Sequence, residues 1–238
     1  MKKLILILML SLLVLSVGSA WAVQDLMDAE IVAGLSVWNP SISFTPALTG
    51  ITLSSSLLVG PKIFGRYQHF FGELSYLMPL SGFSTSVDVL GVTLTESIKT
   101  SWLNFIAGYM ITPIVGIYGG YISNSTAITV SIGSLSASAS AFSISGPGAG
   151  IIAKLPIGKL FNVYANGSYT LGSYKDDTSS VSCTVMNVDG GVGYKFLNGL
   201  AQVNAGWRYQ TNSTSDTVSS AIKYSGPYGN VSYSFGSK

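Results

Sequence analysis

The chain carries one histidine, His69, and one cysteine, Cys183, so acid–base and thiol chemistry have a single candidate each. A general base must lie within hydrogen-bond reach of the proton it moves. His69 stands in Gln68-His69-Phe70 with no serine or aspartate at a useful spacing, and it reads as a turn residue. A reactive thiol needs electropositive surroundings; nothing basic flanks Cys183, which reads as a small strand residue. One thiol also excludes an internal disulfide framework and a multi-cysteine metal site. Asp176-Asp177 offers two carboxylates, fewer oxygens than a Ca²⁺ site needs, and no third acid stands nearby in sequence. The pair reads as solvated loop. Gly146-Pro147-Gly148-Ala149-Gly150 has the glycine density of a phosphate-binding loop, but such a loop must open a helix. It leads instead into Ile151-Ile152-Ala153-Lys154-Leu155-Pro156, a strand ending in proline. Gly-Pro recurs at Gly60-Pro61 and Gly226-Pro227, which marks it as a bend near strand tops. No catalytic residue, cofactor or metal is expected.

The elements that could position chemistry are set by an unusual composition. Of 238 residues, 47% are hydrophobic and 9% charged, against roughly 25% charged in ordinary soluble domains. Net charge is +2, with no basic run after Lys3, so a nucleic-acid partner is not expected. Lys2 and Lys3 precede an apolar run from Leu4 to Val17, and Ala20-Trp21-Ala22 supplies a small-x-small cleavage pattern. Residues 1–22 are expected to be a cleaved signal peptide, and 23–238 a single domain. The apolar run is short of the roughly twenty residues a spanning helix needs.

The rest reads as strands. Phe161, Val163, Ala165, Gly167, Tyr169 and Leu171 alternate with Asn162, Tyr164, Asn166, Ser168 and Thr170, a period of two. The runs 186–196 and 201–210 repeat that pattern around Leu197-Asn198-Gly199-Leu200, and Asn-Gly fits the type I′ hairpin turn. The register this turn predicts sets Gly190 against Trp207, as an aromatic covering a glycine would lie. It also sets Lys195 against Gln202 and Asp189 directly against Arg208, a favourable cross-strand pair.

An up–loop–down–turn unit recurs along the whole chain. Rising strands are predicted near 31–38, 71–79, 115–123, 161–171 and 201–210, and descending ones near 57–67, 97–109, 142–155, 185–196 and 224–235. Short turns fall near 68–70, 111–114, 156–159 and 198–199; the other connections are longer and rich in Ser, Thr and Gly. That asymmetry belongs to outer-membrane barrels, and only helices and closed barrels satisfy their backbone groups in lipid. The fold class expected is therefore all-β: a closed antiparallel up-and-down transmembrane barrel of about ten strands, with eight as the main alternative. Aromatics gather at predicted strand ends as two girdles: Tyr67, Phe70, Phe71, Tyr109, Phe161, Phe196, Tyr233 and Phe235 toward the short turns, and Trp38, Trp102, Tyr121, Tyr169, Trp207 and Tyr209 toward the loops.

By this pattern the mature chain resembles the small outer-membrane β-barrel superfamily, the opacity-protein and OmpX-like group. The resemblance implies a location in the outer membrane of a diderm bacterium, contact with outer-membrane lipid, and help from the barrel assembly machinery during insertion. Enzymes of such folds use Asp pairs with His, or Ser with His, at the extracellular rim, and His69 falls at the other rim.

The charges on predicted lumen faces are the residues to single out: Lys62, Arg66, Glu73, Asp189, Lys195 and Arg208. They form either a plug of ion pairs in a narrow barrel or the lining of a small selective pore. The function expected is non-enzymatic, with surface loops serving a structural or adhesive role toward an extracellular ligand the sequence does not identify. The alternative is a narrow channel or port for small solutes or apolar compounds.

Overall fold

The computed structural model describes residues 29–45, 53–89, 92–133, 135–176, 178–214 and 220–235. The expected signal peptide, its cleavage point and Asp177 lie outside them. The strands are β1 (Ala29–Trp38), β2 (Ser41–Thr45), β3 (Leu58–Tyr67), β4 (Phe70–Pro79), β5 (Phe83–Val89), β6 (Val92–Met110), β7 (Val115–Ile132), β8 (Leu135–Ile157), β9 (Phe161–Lys175), β10 (Ser180–Phe196), β11 (Ala201–Thr214) and β12 (Ala221–Phe235). All twelve belong to one sheet, and β12 pairs back onto β1. Counting β2 with β1, whose edge it continues along β12, and β5 with β4, whose edge it continues along β6, the ring has ten strands.

The registers fix the geometry of the ring. A walk at right angles to the strands leaves Val32 and passes through Phe64, Glu73, Ile106, Gly120, Gly148, Thr170, Val185, Asn212 and Ile222. It returns at Phe44, twelve residues further along the chain than Val32. Ten strands with a stagger of twelve, at ordinary strand spacing and rise, tilt by about 40° and close on a radius of about 10 Å. Such a barrel is wide enough that its interior must be filled or left as a cavity.

Alternation decides which side chains fill it. Tyr194, Trp207 and Phe161 stand on the outside, 40%, 56% and 53% exposed. A pair of stacked sheets would have buried them, so the outer apolar face is one that only lipid can cover. The short turns are where sequence chemistry puts them. Asn198 and Gly199 take φ of 56° and 82°, and the Leu200 N–H donates to the Leu197 carbonyl at 3.1 Å, a type I′ turn. The ladder beyond it runs Phe196–Ala201, Lys195–Gln202, Asp189–Arg208 and Gly190–Trp207, the register the turn predicts. Leu197 itself adopts φ of 50° and so leaves the ladder.

Several expectations need correction. Trp207 does not cover Gly190: its indole donates to Ser225 Oγ at 2.8 Å, and no Trp207 atom lies near the space a Gly190 Cβ would occupy. The Gly-Pro pairs lie within strands and not at their tops. Proline has no N–H to donate, and each pair sits where a ladder is interrupted, between Val59–Met78 and Lys62–Ser75, between Ser145–Ser173 and Gly148–Thr170, and between Tyr228–Trp38 and Ser225–Ser41. Trp38, Trp102 and Phe71 belong to no girdle; they point inward and are buried. One expectation holds: the alternation of Thr126–Ile132 marks a hairpin that continues beyond the barrel, and β6, β7 and β8 do run on to Val92, Ile132 and Leu135. A bulge at Ala141, where Thr126 pairs with Phe142 but Ala127 with Ser140, shifts the register of β8 on the way.

Candidate functional site

The ring encloses a lumen among the described residues. All six predicted charges line it, and so do Glu30 and Lys154, which sequence reasoning passed over. Lys154 was readable in principle: it shares the inward parity of Gly148, Gly150 and Ile152, but its apolar neighbours hide the alternation. The cavity measures about 490 Å³, within the range of small-molecule sites. At one end it is lined by turn residues such as Pro113, Ile114 and Leu200, and at the other by the buried Trp38, Trp102, Asn124 and Val185. It therefore opens toward the short-turn rim and is shut toward the loops.

The shutter is aromatic. Trp38, 1% exposed, meets Trp102 edge-on with centroids 5.3 Å apart, and Tyr224 packs against both. Phe83 from β5, fully buried, closes the cluster with Leu58 and Leu77. Below it a polar belt crosses from β7 to β1. Tyr118 donates to Asn166 Oδ1 at 2.6 Å, and Asn166 Nδ2 donates to Asp189 Oδ2 at 3.0 Å. Asp189 faces Arg208 at 3.7 Å, an ion pair too long for a hydrogen bond. The Arg208 guanidinium lies 3.9 Å from the centre of the Tyr228 ring, a cation–π contact, and the Tyr228 hydroxyl meets Ser36 Oγ at 3.2 Å. A second pair, Lys62–Glu73 at 2.8 Å, stands nearby on β3 and β4.

The lumen was expected to be hydrophilic; its β9–β12 wall is, while the facing wall sets an apolar patch among charges such as Lys62, Arg66 and Glu73. On the other wall Phe71, Ile106 and Tyr118 form an apolar cluster, with Phe64, Met110 and Ile152 packed against it. The sequence sign of this was Trp102-Leu103-Asn104-Phe105-Ile106, apolar on both parities, as a strand buried on both faces reads. Room for the cluster comes partly from Gly150, where a Cβ would meet the Tyr118 ring.

The remaining candidates are scattered. His69 sits in the turn between β3 and β4, its ring 5.5 Å from that of Tyr109, at the rim opposite the loops. Cys183 is buried beside Ile144 and Val185. Asp176 accepts from the Thr178 and Ser179 backbone N–H groups and from both hydroxyls. These bonds, the Thr178 N–H first, hold its carboxyl below the usual range and explain it as the cap of a tight turn. Among the described residues no three His, Cys, Asp or Glu side chains gather as metal ligands.

No protein-family model and no curated protein matches the chain. Solved structures do. The outer membrane protease OmpT from Escherichia coli superposes with a TM-score of 0.57 at 11% identity, over 87% of this chain and 97% of that one. Ail, the attachment invasion locus protein of Yersinia pestis, gives 0.39 at 10% identity over 87% and 100%. The toluene transporter TodX of P. putida gives 0.32 at 9% identity over 88% and 90%. The fold is that of outer-membrane β-barrels.

Proposed function

We propose that the chain is a non-enzymatic barrel of the bacterial outer membrane that presents a two-faced extracellular sheet to another surface or molecule. The observation that carries this reading is the sheet built by β6, β7 and β8 beyond the ring. The 23 residues of β8, at the tilt above, rise about 55–60 Å along the barrel axis, roughly twice the apolar band of such barrels. In the part that stands clear, Leu94, Ile128, Val130, Ile132 and Leu135 share one face by register, interrupted by Glu96, while Thr95, Ser97, Thr129, Ser131, Ser136 and Ser138 share the other. Hydroxyl pairs such as Thr129–Ser138 at 2.8 Å tie the polar face together. Val130, Ile132 and Leu135 are exposed toward the tip of the sheet, 38%, 48% and 77%, and exposed apolar side chains grouped on one face mark an interaction site. The position of the single histidine, far from the loops, supports a non-catalytic role.

A narrow channel or port for small solutes or apolar compounds is the second reading. The apolar patch of the lumen wall favours it, and the aromatic shutter opposes it. The test of the first reading replaces residues 127–140 by a two-residue turn and compares cells bearing either protein for self-aggregation and attachment to apolar surfaces. Attachment is expected to fall at least tenfold while the trimmed barrel still migrates differently boiled and unboiled. Equal attachment by the trimmed barrel sinks the proposal.

A further inference from the structure

The two ion pairs leave the lumen unbalanced. Five cations line it, Lys62, Arg66, Lys154, Lys195 and Arg208, against the three carboxylates Glu30, Glu73 and Asp189. Once Lys62–Glu73 and Arg208–Asp189 are matched, Arg66, Lys154 and Lys195 remain, with no carboxylate within 4 Å among the described residues, against Glu30 alone. All of these stand toward the open, short-turn end. Glu30 takes the Ser234 hydroxyl at 3.0 Å, and the Arg66 Nε–H is tied to the Gln68 carbonyl at 3.0 Å.

Lys154 and Lys195 are both neighbours of Gln202. Lys154 Nζ reaches from β8 to Gln202 Oε1 on β11 at 3.4 Å, and Lys195 is the cross-strand partner of Gln202. Gln202 donates to Asn204, which donates to Asn230 Oδ1 at 2.7 Å. Beside them Asn162 is 2% exposed, faces the cavity, and has no hydrogen-bond partner on either polar atom. Buried amides are almost always bonded, and an exception asks for an explanation. Two like charges beside the same Gln202, next to an unsatisfied amide, are what an anion would reconcile, since charge-assisted hydrogen bonds are the strong ones.

The neighbouring wall says what kind of anion. Ile152 is the inward position next to Lys154 on β8, and Phe64 the inward position next to Arg66 on β3; both pack on the Phe71–Ile106–Tyr118 cluster. We propose that the open end of the lumen binds a single-chain anionic amphiphile, its carboxylate or phosphate-type head on Lys154, Lys195 and Asn162 and its chain along Phe71, Ile106 and Ile152. The site is independent of the extracellular sheet, and either reading can fail without the other.

The test uses the tryptophans of the chain. In a W207F protein, held in phosphatidylcholine nanodiscs and lacking Trp21 with the expected signal peptide, Trp38 and Trp102 at the closed end of the cavity are the remaining fluorophores. Titration with 12-bromododecanoate is expected to quench them saturably, and 12-bromododecanol to quench at least tenfold less effectively. K154Q/K195Q should weaken the carboxylate probe at least tenfold, with K154R/K195R keeping it within a few-fold; both should retain the boiled–unboiled mobility shift. Each pair of methylenes removed from the chain should weaken binding roughly tenfold. Equal quenching by the alcohol, no effect of K154Q/K195Q, absence of quenching, or full displacement by millimolar inorganic phosphate overturns the proposal.

Discussion

At the scale of single residues the lumen is governed by what burial does to unpaired charge. Removing one partner of a buried pair leaves the other uncompensated and costs about 3–5 kcal/mol, whereas removing both can be close to neutral. Asp189 and Arg208 have side chains only 6% and 19% exposed, but they stand 3.7 Å apart, and Arg208 is shared with the Tyr228 ring. These facts place the pair at or below the lower end of that range. Asp189→Asn or Arg208→Met alone is expected to cost about 2–3 kcal/mol in urea unfolding from bilayers, and the double variant less than either. Additive single costs would mean that the two charges do not sense each other across the β10–β11 ladder, and the polar belt would lose its centre.

At the scale of elements, local chemistry and register agree most closely where a turn dictates both. Asn198-Gly199 supplied the positive φ values a type I′ turn demands, and through them the pairing of every residue from Cys183–Thr214 to Phe196–Ala201. What local chemistry could not convey was the φ of 50° at Leu197, imposed by the two strands it joins. A left-handed conformation costs a non-glycine residue roughly 1–2 kcal/mol, and Leu197 is 61% exposed, so its side chain returns little. Leu197→Asn, a residue that tolerates this region, is expected to stabilise the barrel by about 0.5–1 kcal/mol; a loss of stability would show that the leucine is held there by lipid. The Ala141 bulge was equally illegible, because it satisfies a requirement of the far strand. Continuing β8 without it would set Ser140, Ser138 and Ser136 among Ile128, Val130 and Ile132; with it, Ala139 and Ala137 take those places. One extra residue thus reverses the alternation of a strand. The inward turn of Trp38 and Trp102 escaped for a related reason. A girdle and a lumen plug are both aromatic at strand ends, and only parity carried around the ring separates them.

At the scale of the molecule, radius and filling together decide whether the barrel conducts. A ring about 10 Å in radius encloses more space than one layer of side chains on each wall removes, so closure depends on large residues meeting across the axis. Here that happens at one level, where Trp38, Trp102, Tyr224 and Phe83 touch one another; below it the cavity is open to the short-turn side. The polar belt restricts passage but contains atoms, such as Arg208 Nε and Tyr164 OH, without protein partners, and polar groups of that kind accommodate water more readily than a shell of rings does. Resistance to ion flow is thus concentrated in the aromatic cluster. The intact protein is expected to give no steady steps in planar bilayers. Trp38→Ala with Trp102→Ala removes the largest side chains of that cluster, and their loss leaves a void the rigid sheet cannot close by collapse. Resolved openings are expected from the double variant, biased toward anions by the cations Lys154, Lys195 and Arg66 at the open end. Well-resolved openings of the intact protein would show that the cluster is no barrier, and silence of the double variant would move the barrier down to the charged belt.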